Sequence, residues 1–194
     1  MKIYVDTREK NITHIIKRFQ DKNINWEFKK LDYGDYSFEH DGIDYSNKIV
    51  VERKANLTEL AGNLGYKRIT FETEFCKALA HKCKVILMVE DLKAREKIKL
   101  RQLMDSTPLC DDDKFRKTWR SKLTGNAMYA SLKAFKTRYK YDMVCCKKIK
   151  SAEQIINIFE NYIKSIKFDK QIKRADNYTI KKVNIVDRNN DIII

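Results

Sequence analysis

Residues 49–54 read IVVERK, so an apolar run of the kind that forms a buried strand ends in three consecutive charged residues. Alternate side chains of a β-strand point to the same face of the sheet. Glu52 and Lys54 are therefore predicted to share one face, and Arg53 to point to the opposite face. A strand that ends in this way presents a carboxylate and an amine to the same space.

The chemistry that this strand end suggests needs a second carboxylate. An acid that holds a divalent metal ion, beside a lysine that orients or deprotonates water, suits phosphodiester hydrolysis. A hard cation takes several oxygen ligands, so one acid does not hold it. Asp35 follows Gly34 at the start of the neighbouring predicted strand and is the best candidate for the second ligand. Asp6, which ends the first predicted strand, and Glu9, at the start of the next helix, are further candidates on spacing.

Alternating strands and helices are predicted around residues 49–54. Hydrophobic periodicity predicts strands over residues 3–6, 25–31, 36–38, 48–51, 85–89 and 142–146. It predicts a helix capped by Asn11, helices over 57–64 and 68–81, one from about residue 127 and one around 155–166. Asp41 and Gly42 are typical of a hairpin turn between the strands at 36–38 and 48–51. The sequence therefore predicts an α/β fold with a mixed sheet and helices on both faces.

Two stretches lack this regular pattern. Residues 91–122 are highly charged, contain the only proline and are predicted to form an irregular or partly helical insertion. Residues from 168 onward are Lys-rich and are predicted to form an added strand or a loose tail. With 194 residues, the chain is expected to form one compact unit.

The charge balance favours a polyanionic partner. The 41 Lys and Arg residues against 27 Asp and Glu residues leave a formal net charge of +14 at pH 7, and nucleic acid is the leading candidate. The longest strongly apolar run, residues 85–89, is too short to span a bilayer, so no membrane partner is expected. Five cysteines without a close CxxC pair fit a reducing compartment, and we expect a cytoplasmic, nucleoid or nuclear location.

Each of the charged motifs is common in proteins when it occurs alone, but the whole set in this order is specific. A Glu-x-Lys pair in a strand is commonly an exposed ion pair, and Gly-Asp is an ordinary turn sequence. In the order VDTRE (5–9), GDY (34–36), ERK (52–54) and Arg68, however, they resemble the nuclease domain of the XPF and Mus-type structure-specific endonucleases. The signature of that family is a GD, a variable gap and an ERK.

This resemblance implies a restriction-endonuclease-like fold, in which a mixed sheet is flanked by helices. It covers about residues 1–150, which would form the nuclease domain with 91–122 as a charged insertion. Residues 151–194 would then form a C-terminal amphipathic helix and a basic tail.

The resemblance also implies roles for single residues. Asp35 and Glu52 would bind magnesium or manganese, with Asp6 and Glu9 contributing.

Lys54 would be the catalytic lysine, and Arg53 would support the site through an ion pair or touch phosphate. The basic residues expected to contact DNA are Arg8, Lys67, Arg68, Lys133 and Lys136.

The chain departs from the family pattern in two places. The family usually has an acid four residues after the ERK lysine, where this chain has Thr58 with Glu59 next to it. The tandem helix-hairpin-helix domain of cellular members has no counterpart in the remaining residues, so another part must grip DNA. Basic residues of the insertion, interleaved with Phe115 and Trp119, could track a backbone and stack an unpaired base. The alternative is a solvated loop with a core tryptophan.

From the resemblance we expect a metal-dependent DNA endonuclease that acts on branched, flapped or junction DNA in repair, recombination or replication. A homodimer or heterodimer through the nuclease domain is expected. Abundant Lys, Ile and Asn indicate an AT-rich genome, and a minimal single-domain nuclease would suit a mobile element or a viral protein acting in a host cell. Three alternatives remain open at this stage. They are a catalytically silent nuclease-like module that binds DNA or a partner, a sequence-specific or defence-type nuclease, and a structural basic protein.

Overall fold

The structure, a computed structural model, describes residues 1–105 and 118–190, with side chains described for 1–104 and 118–173. Its strands are β1 Lys2–Val5, β2 Asn25–Phe28, β3 Tyr36–His40, β4 Ile43–Asp44, β5 Ile49–Lys54, β6 Lys84–Val89 and β7 Asp142–Cys145. Its helices within the described residues are α1 Thr13–Asp21, α2 Leu57–Leu64, α3 Arg68–Ala80, α4 Ala94–Asp105, α5 Gly125–Tyr139 and α6 Ser151–Asn190.

The strands form one mixed sheet in the order β2-β1-β3-β5-β6-β7, with β4 beside β3. The pairs β1/β2, β5/β6 and β6/β7 are parallel, whereas β3 runs antiparallel to both β1 and β5. The predicted α/β fold with a mixed sheet flanked by helices is confirmed.

Strand β5 forms the centre of this sheet and carries the three charges. Its six residues are all buried, and it pairs with β6 in parallel from Ile49 opposite Lys84 to Lys54 opposite Val89. The strand therefore extends three residues beyond the predicted end at Val51, through the charged tripeptide. The charges remain in the strand because the parallel ladder with β6 satisfies their backbone groups.

The turn at Asp41 and Gly42 has φ angles of 52° and 74°, as a two-residue hairpin with a type I′ turn requires. It joins β3 to the short β4, through the pair His40 and Ile43, and not directly to β5 as predicted. The chain then bends at residues 45–48, and β5 meets β3 at the pair Tyr36 and Val51.

Helix α1 begins one residue later than its predicted cap implied. Ile12 occupies the N-cap position without a side-chain hydrogen bond, and Asn11 before it has a φ of 57°. Asparagine tolerates this left-handed conformation better than most residues, so Asn11 turns the chain and does not cap the helix.

Part of the predicted charged insertion is regular structure. Residues 94–105 form α4, and Trp119 is only 2% exposed, with its indole Nε1 donating to the Leu123 carbonyl at 2.9 Å. The Arg101 guanidinium is buried beside it and donates to Thr118 Oγ1 at 2.8 Å. Trp119 is therefore a core residue, while Phe115 lies outside the described residues.

Residues 151–190 form the single helix α6, so the prediction of a strand or a loose tail from residue 168 was wrong. This stretch contains no glycine or proline, and nothing in its sequence ends a helix early. The chain divides into two compact units, residues 1–155 and residues 156–194, so the expectation of one compact unit from the chain length was wrong. Within the described residues, no helix combines the length and the apolar character needed to cross a bilayer.

Candidate active site

A cleft lies where three strands meet at one edge of the sheet. Because β3 is antiparallel to β1 and β5, its first residues lie beside the last residues of those strands. The Asp6 amide donates to the Asp35 carbonyl, and the Asp35 amide donates to the Val51 carbonyl, both at 2.8 Å. The cleft has a volume of about 440 Å³ and is lined by Asp6, Arg8, Gly34, Asp35, Glu52, Lys54, Asn63, Lys67, Thr70, Phe71 and Glu74.

Glu52 and Lys54 lie on the same face of β5, as the strand period predicts. Lys54 Nζ donates to Glu52 Oε1 at 2.6 Å, and the ammonium lies 5.1 Å from the centroid of the Phe71 ring. Burial alone would lower the pKa of Lys54, but the negative charges of Glu52 and Asp35 outweigh burial and raise the pKa above its ordinary value. Lys54 is therefore a fixed positive charge in this cleft.

A backbone hydrogen bond to its side chain and the turn at the preceding residue together fix the position of Asp35. Its Oδ2 accepts from the Arg53 amide at 2.7 Å. Gly34 before it has a φ of 72°, and a Cβ at Gly34 would lie 2.7 Å from the Val50 Cβ, so only glycine fits this turn. Burial, followed by the charges of Glu52 and Glu9, raises the pKa of Asp35 well above its ordinary value. Two carboxylates thus crowd one cleft.

Asp6 lines the cleft, but its two oxygens are already hydrogen-bonded. Oδ1 accepts from the Arg8 amide at 2.8 Å and from Arg8 Nε at 2.7 Å. Oδ2 accepts from the Leu31 amide at 2.7 Å and from Arg8 Nη2 at 3.1 Å. Burial would raise the pKa of Asp6, but these bonds outweigh burial and lower the pKa. Asp6 therefore holds Arg8 at the cleft instead of presenting free oxygens.

Glu9 pairs with Arg53 on the opposite face of β5. Arg53 Nε donates to Glu9 Oε1 at 2.5 Å, and Nη2 donates to the Lys10 carbonyl at 2.9 Å. Arg53 Nη1 also lies 3.0 Å from Glu90 Oε2, and Glu90 Oε1 lies 2.9 Å from His14 Nε2. The Arg53 side chain is only 4% exposed. Arg53 is thus a buried anchor, and its own amide positions Asp35.

The basic residues named from the sequence are placed in three different surroundings. Arg8 and Lys67 line the cleft. Arg68 donates from Nη1 to Ser131 Oγ at 3.0 Å and lies 5.4 Å from the Phe135 ring centroid, so it connects α3 to α5. Lys133 and Lys136 line a separate cavity of about 360 Å³, together with Arg95 and Lys99.

Thr58 stands four residues after Lys54, where the family that the sequence resembles usually has an acid, and it carries no carboxylate. Thr58 Oγ1 accepts from the Arg120 amide at 3.0 Å, and the neighbouring Glu59 accepts from the Ala55 amide at 2.8 Å through Oε2. Glu59 Oε1 lies 3.9 Å from Lys54 Nζ. Glu59 therefore belongs mainly to the N-terminal cap of α2.

Sequence reasoning missed three polar residues of the cleft, Asn63 on α2 and Thr70 and Glu74 on α3. Asn63 Oδ1 is buried and has no hydrogen-bond partner among the described residues. Burial, followed by the charge of Glu52, raises the pKa of Glu74. Glu74 follows Phe71 by three residues and shares its inward face, which is the signal that could have found it.

Asp35 and Glu52 suit a hard divalent cation. Both are carboxylates, they repel one another, and the free oxygen of Asn63 lines the same cleft. Among the described side chains, those of residues 1–104 and 118–173, no group of three or more His, Cys, Asp or Glu residues converges as a metal site would. A hard divalent cation held by two carboxylates completes its shell with other oxygen ligands, such as water and phosphate.

The sequence matches the family model described as the ERCC4 domain over residues 5–159. The structure is similar to "XPF from Aeropyrum pernix, complex with DNA", at 20% identity and a TM-score of 0.55, covering 84% of this chain and 66% of that chain. It is also similar to "XPF from Aeropyrum pernix", at 19% identity and a TM-score of 0.54, covering 83% of this chain and 66% of that chain. The chain thus spans slightly less than two thirds of these structures, and at this identity the likeness shows a shared fold. No curated protein matches the sequence.

Proposed function

Because the chain belongs to the ERCC4-domain family, we propose that it is a divalent-metal-dependent DNA endonuclease. One observation carries this proposal: Asp35, Glu52 and Lys54 meet in one cleft at the end of three strands. Two acids and a fixed cation around one open space are what hydrolysis of a phosphodiester needs. The proposed active site would lie within the predicted nuclease domain, residues 1–150.

Asp35 and Glu52 would hold magnesium or manganese, with Asn63 as a nearby neutral oxygen donor. When bound, the ion supplies Lewis-acid polarisation of the phosphate and a more acidic water. Asp6 and Glu9 were predicted as contributing ligands, but each is engaged by an arginine. We therefore assign them to positioning, Asp6 for Arg8 and Glu9 for Arg53.

Lys54 would stabilise the negative charge that develops on the phosphate. Its ammonium is held by Glu52 at 2.6 Å and faces the cleft from β5, so it is oriented before the substrate arrives. Arg8 would contact a phosphate oxygen of the substrate. Its guanidinium is anchored by Asp6 while its side chain remains 56% exposed.

The proposed substrate is branched, flapped or junction DNA. The net charge of +14 favours a polyanion. One solved structure similar to this chain is a DNA complex of XPF from Aeropyrum pernix. We further propose that the nuclease domain pairs with that of an identical or a related chain. We also propose a role in DNA repair, recombination or replication, inside the cell or in a virus-infected host.

A catalytically silent DNA-binding module is the second candidate. Thr58 stands where the family usually has an acid, and Asp6 is saturated by hydrogen bonds. Both features reduce the number of oxygens available to a metal ion. The two candidates share DNA binding and differ in cleavage.

Cleavage of labelled flap, fork, four-way-junction and plain-duplex DNA, with magnesium, manganese or chelator, separates the two candidates. We expect metal-dependent cleavage in the wild type. Cleavage should fall at least about a hundredfold in Asp35→Asn, Glu52→Gln and Lys54→Ala, because each change removes a charged side chain that would act on the reacting phosphate or its metal ion. DNA binding should persist in all three variants. Glu96→Gln, an exposed change on α4, is the matched control and should cleave like the wild type.

Wild-type protein that binds these DNAs but never cleaves them would overturn the enzyme and establish the silent module. Cleavage of plain duplex at a fixed sequence, without preference for branches, would instead select a sequence-specific or defence-type nuclease.

A further inference from the structure

Tyr66 and Ile69 are each 84% exposed, more than any other large hydrophobic side chain in the described residues. A single exposed aromatic residue is common and needs no explanation. Tyr66, however, lies between α2 and α3, and Ile69 lies in the first turn of α3, next to residues that line the candidate active site. We call residues 62–70 the α2–α3 junction.

The α2–α3 junction separates two cavities. Asn63, Lys67 and Thr70 line the active-site cleft. Gly62, Gly65 and Tyr66 line a second cavity of about 590 Å³, which we call the side cavity. A strand of nucleic acid whose phosphate lies in the cleft could therefore place its next nucleotide in the side cavity.

The side cavity is basic. Its remaining lining residues are Thr58, Arg120, Ser121, Lys122 and Leu123, so its charged members are both cations. The Arg120 amide donates to Thr58 Oγ1 at 3.0 Å, which holds this segment against α2. A cavity with this lining suits an anionic ligand, and the phosphates of a nucleic acid strand are such ligands.

The Tyr66 ring is positioned by a glycine. A Cβ at Gly62 would lie 3.2 Å from both Tyr66 Cε1 and the Tyr66 hydroxyl oxygen, so the ring lies against the backbone of α2. Lys67 Nζ lies 5.7 Å from the centroid of the same ring. The ring thus contacts backbone at one edge and has the Lys67 ammonium over one face, and its remaining exposed face can stack on a nucleobase.

We propose that Tyr66 stacks on an unpaired base of the DNA strand next to the scissile phosphate, while Arg120 and Lys122 bind phosphates of that strand in the side cavity. This inference rests on the proposed function and adds a source of substrate preference. A base inside a duplex already stacks on its neighbours on both faces. An unpaired base has a free face, so Tyr66 favours DNA with a single-stranded segment at the cut site.

A binding experiment tests the proposal apart from cleavage. Full-length Glu52→Gln protein in chelator is titrated onto a flap that carries 2-aminopurine at the first unpaired position, with fluorescence and anisotropy followed together. Stacking on Tyr66 should quench the fluorescence. Adding Tyr66→Ala should abolish the quench and weaken flap binding about tenfold, whereas plain-duplex binding should stay unchanged.

Three further variants define the cause. Tyr66→Phe should keep the quench, because the aromatic face is retained. Phe28→Ala removes another exposed aromatic ring, on β2, and should behave like the parent protein. Changing Arg120 and Lys122 together to Gln should lower the slope of log affinity against log salt by about one for each phosphate that the variant no longer neutralises.

A quench that is unchanged by Tyr66→Ala, with the flap still bound, would overturn this inference and leave the endonuclease intact. Failure of the parent protein to bind any DNA would overturn both. Tyr66 is 84% exposed, so its replacement should leave the fold unchanged, which an equal Tm would verify.

Discussion

Asp35 and Glu52 illustrate, at the scale of single residues, the cost of placing two carboxylates in one cleft. They lie in one cleft with Lys54, whose Nζ is 2.6 Å from Glu52 Oε1. The charges of Glu52 and Glu9, added to burial, raise the pKa of Asp35. Burial and these neighbouring charges therefore make deprotonation of Asp35 less favourable in the folded protein than in the unfolded chain, and a divalent cation would offset this cost.

The residue-scale prediction is that Asp35→Asn raises the Tm in chelator at neutral pH, although the same change is predicted to reduce cleavage at least about a hundredfold. Asparagine keeps an oxygen for the Arg53 amide and removes one of the crowded charges. Because the folded pKa of Asp35 is raised, stability in the wild type should fall as pH rises above the ordinary aspartate value, and this loss should be smaller in the variant. Thermal unfolding between pH 4 and pH 8 measures both effects.

Added magnesium supplies the complementary measurement. It should raise the wild-type Tm more than the Asp35→Asn Tm, since the variant lacks one ligand. Asp32→Asn, an exposed change three residues away, is the control. A lower Tm for Asp35→Asn in chelator would contradict the charge-crowding explanation.

At the scale of elements, the crossing of α4 and α5 depends on one glycine. A Cβ at Gly125 would lie 2.4 Å from the Gln102 nitrogen and 2.5 Å from the Arg101 carbonyl carbon. The two helix backbones therefore touch at the start of α5. Thr124 caps the same helix end, with its Oγ1 accepting from the Ala127 amide at 3.1 Å.

Gly125→Ala is predicted to lower the free energy of unfolding by about 1–3 kcal/mol, because backbone atoms cannot give way as a side chain can. Urea denaturation measures the change. Ala130→Ser, on an exposed position of α5, should alter stability by no more than about 0.5 kcal/mol. Equal stability of Gly125→Ala and the wild type would mean that the two helices separate easily.

At the scale of the whole molecule, the net charge of +14 at pH 7 favours binding of a polyanion. Arg95, Lys99, Lys133 and Lys136 surround one cavity of about 360 Å³. Arg95 also donates a hydrogen bond to the Met143 carbonyl, and Lys136 donates one to the Asp142 carboxylate. Lys99 and Lys133 are exposed and are the better candidates for phosphate contacts.

The double change of Lys99 and Lys133 to Gln is predicted to weaken binding of flap and plain duplex alike. The slope of log affinity against log salt should fall by about one for each phosphate left without its lysine. Changing Lys17 and Lys77 to Gln removes the same charge from exposed positions on α1 and α3 and should leave the slope nearly unchanged. Equal effects of the two double variants would indicate that only net charge matters.

Most strands and helices, and the central residues of the site, could be predicted from the sequence because both depend on local periodicity, whereas β4, α4 and the full length of α6 could not. A period of two places Glu52 and Lys54 on one face of β5 and Arg53 on the other, whatever surrounds the strand. The strands next to Asp35 and through residues 52–54 can be recognised from the sequence for the same reason. So can their neighbours in the sheet, β1 and β6.

Only the tertiary structure decided which polar groups face which partners. Asp6 and Glu9 were plausible ligands on spacing, yet Arg8 and Arg53 engage them, because contacts between distant segments determine where each carboxylate finds a cation. Trp119 is buried and Tyr66 is exposed, although both are aromatic residues near basic ones, because burial depends on which helix packs over the side chain. The sequence by itself thus determined the alternation along each element, and the packing of elements against one another decided which of those side chains form the site.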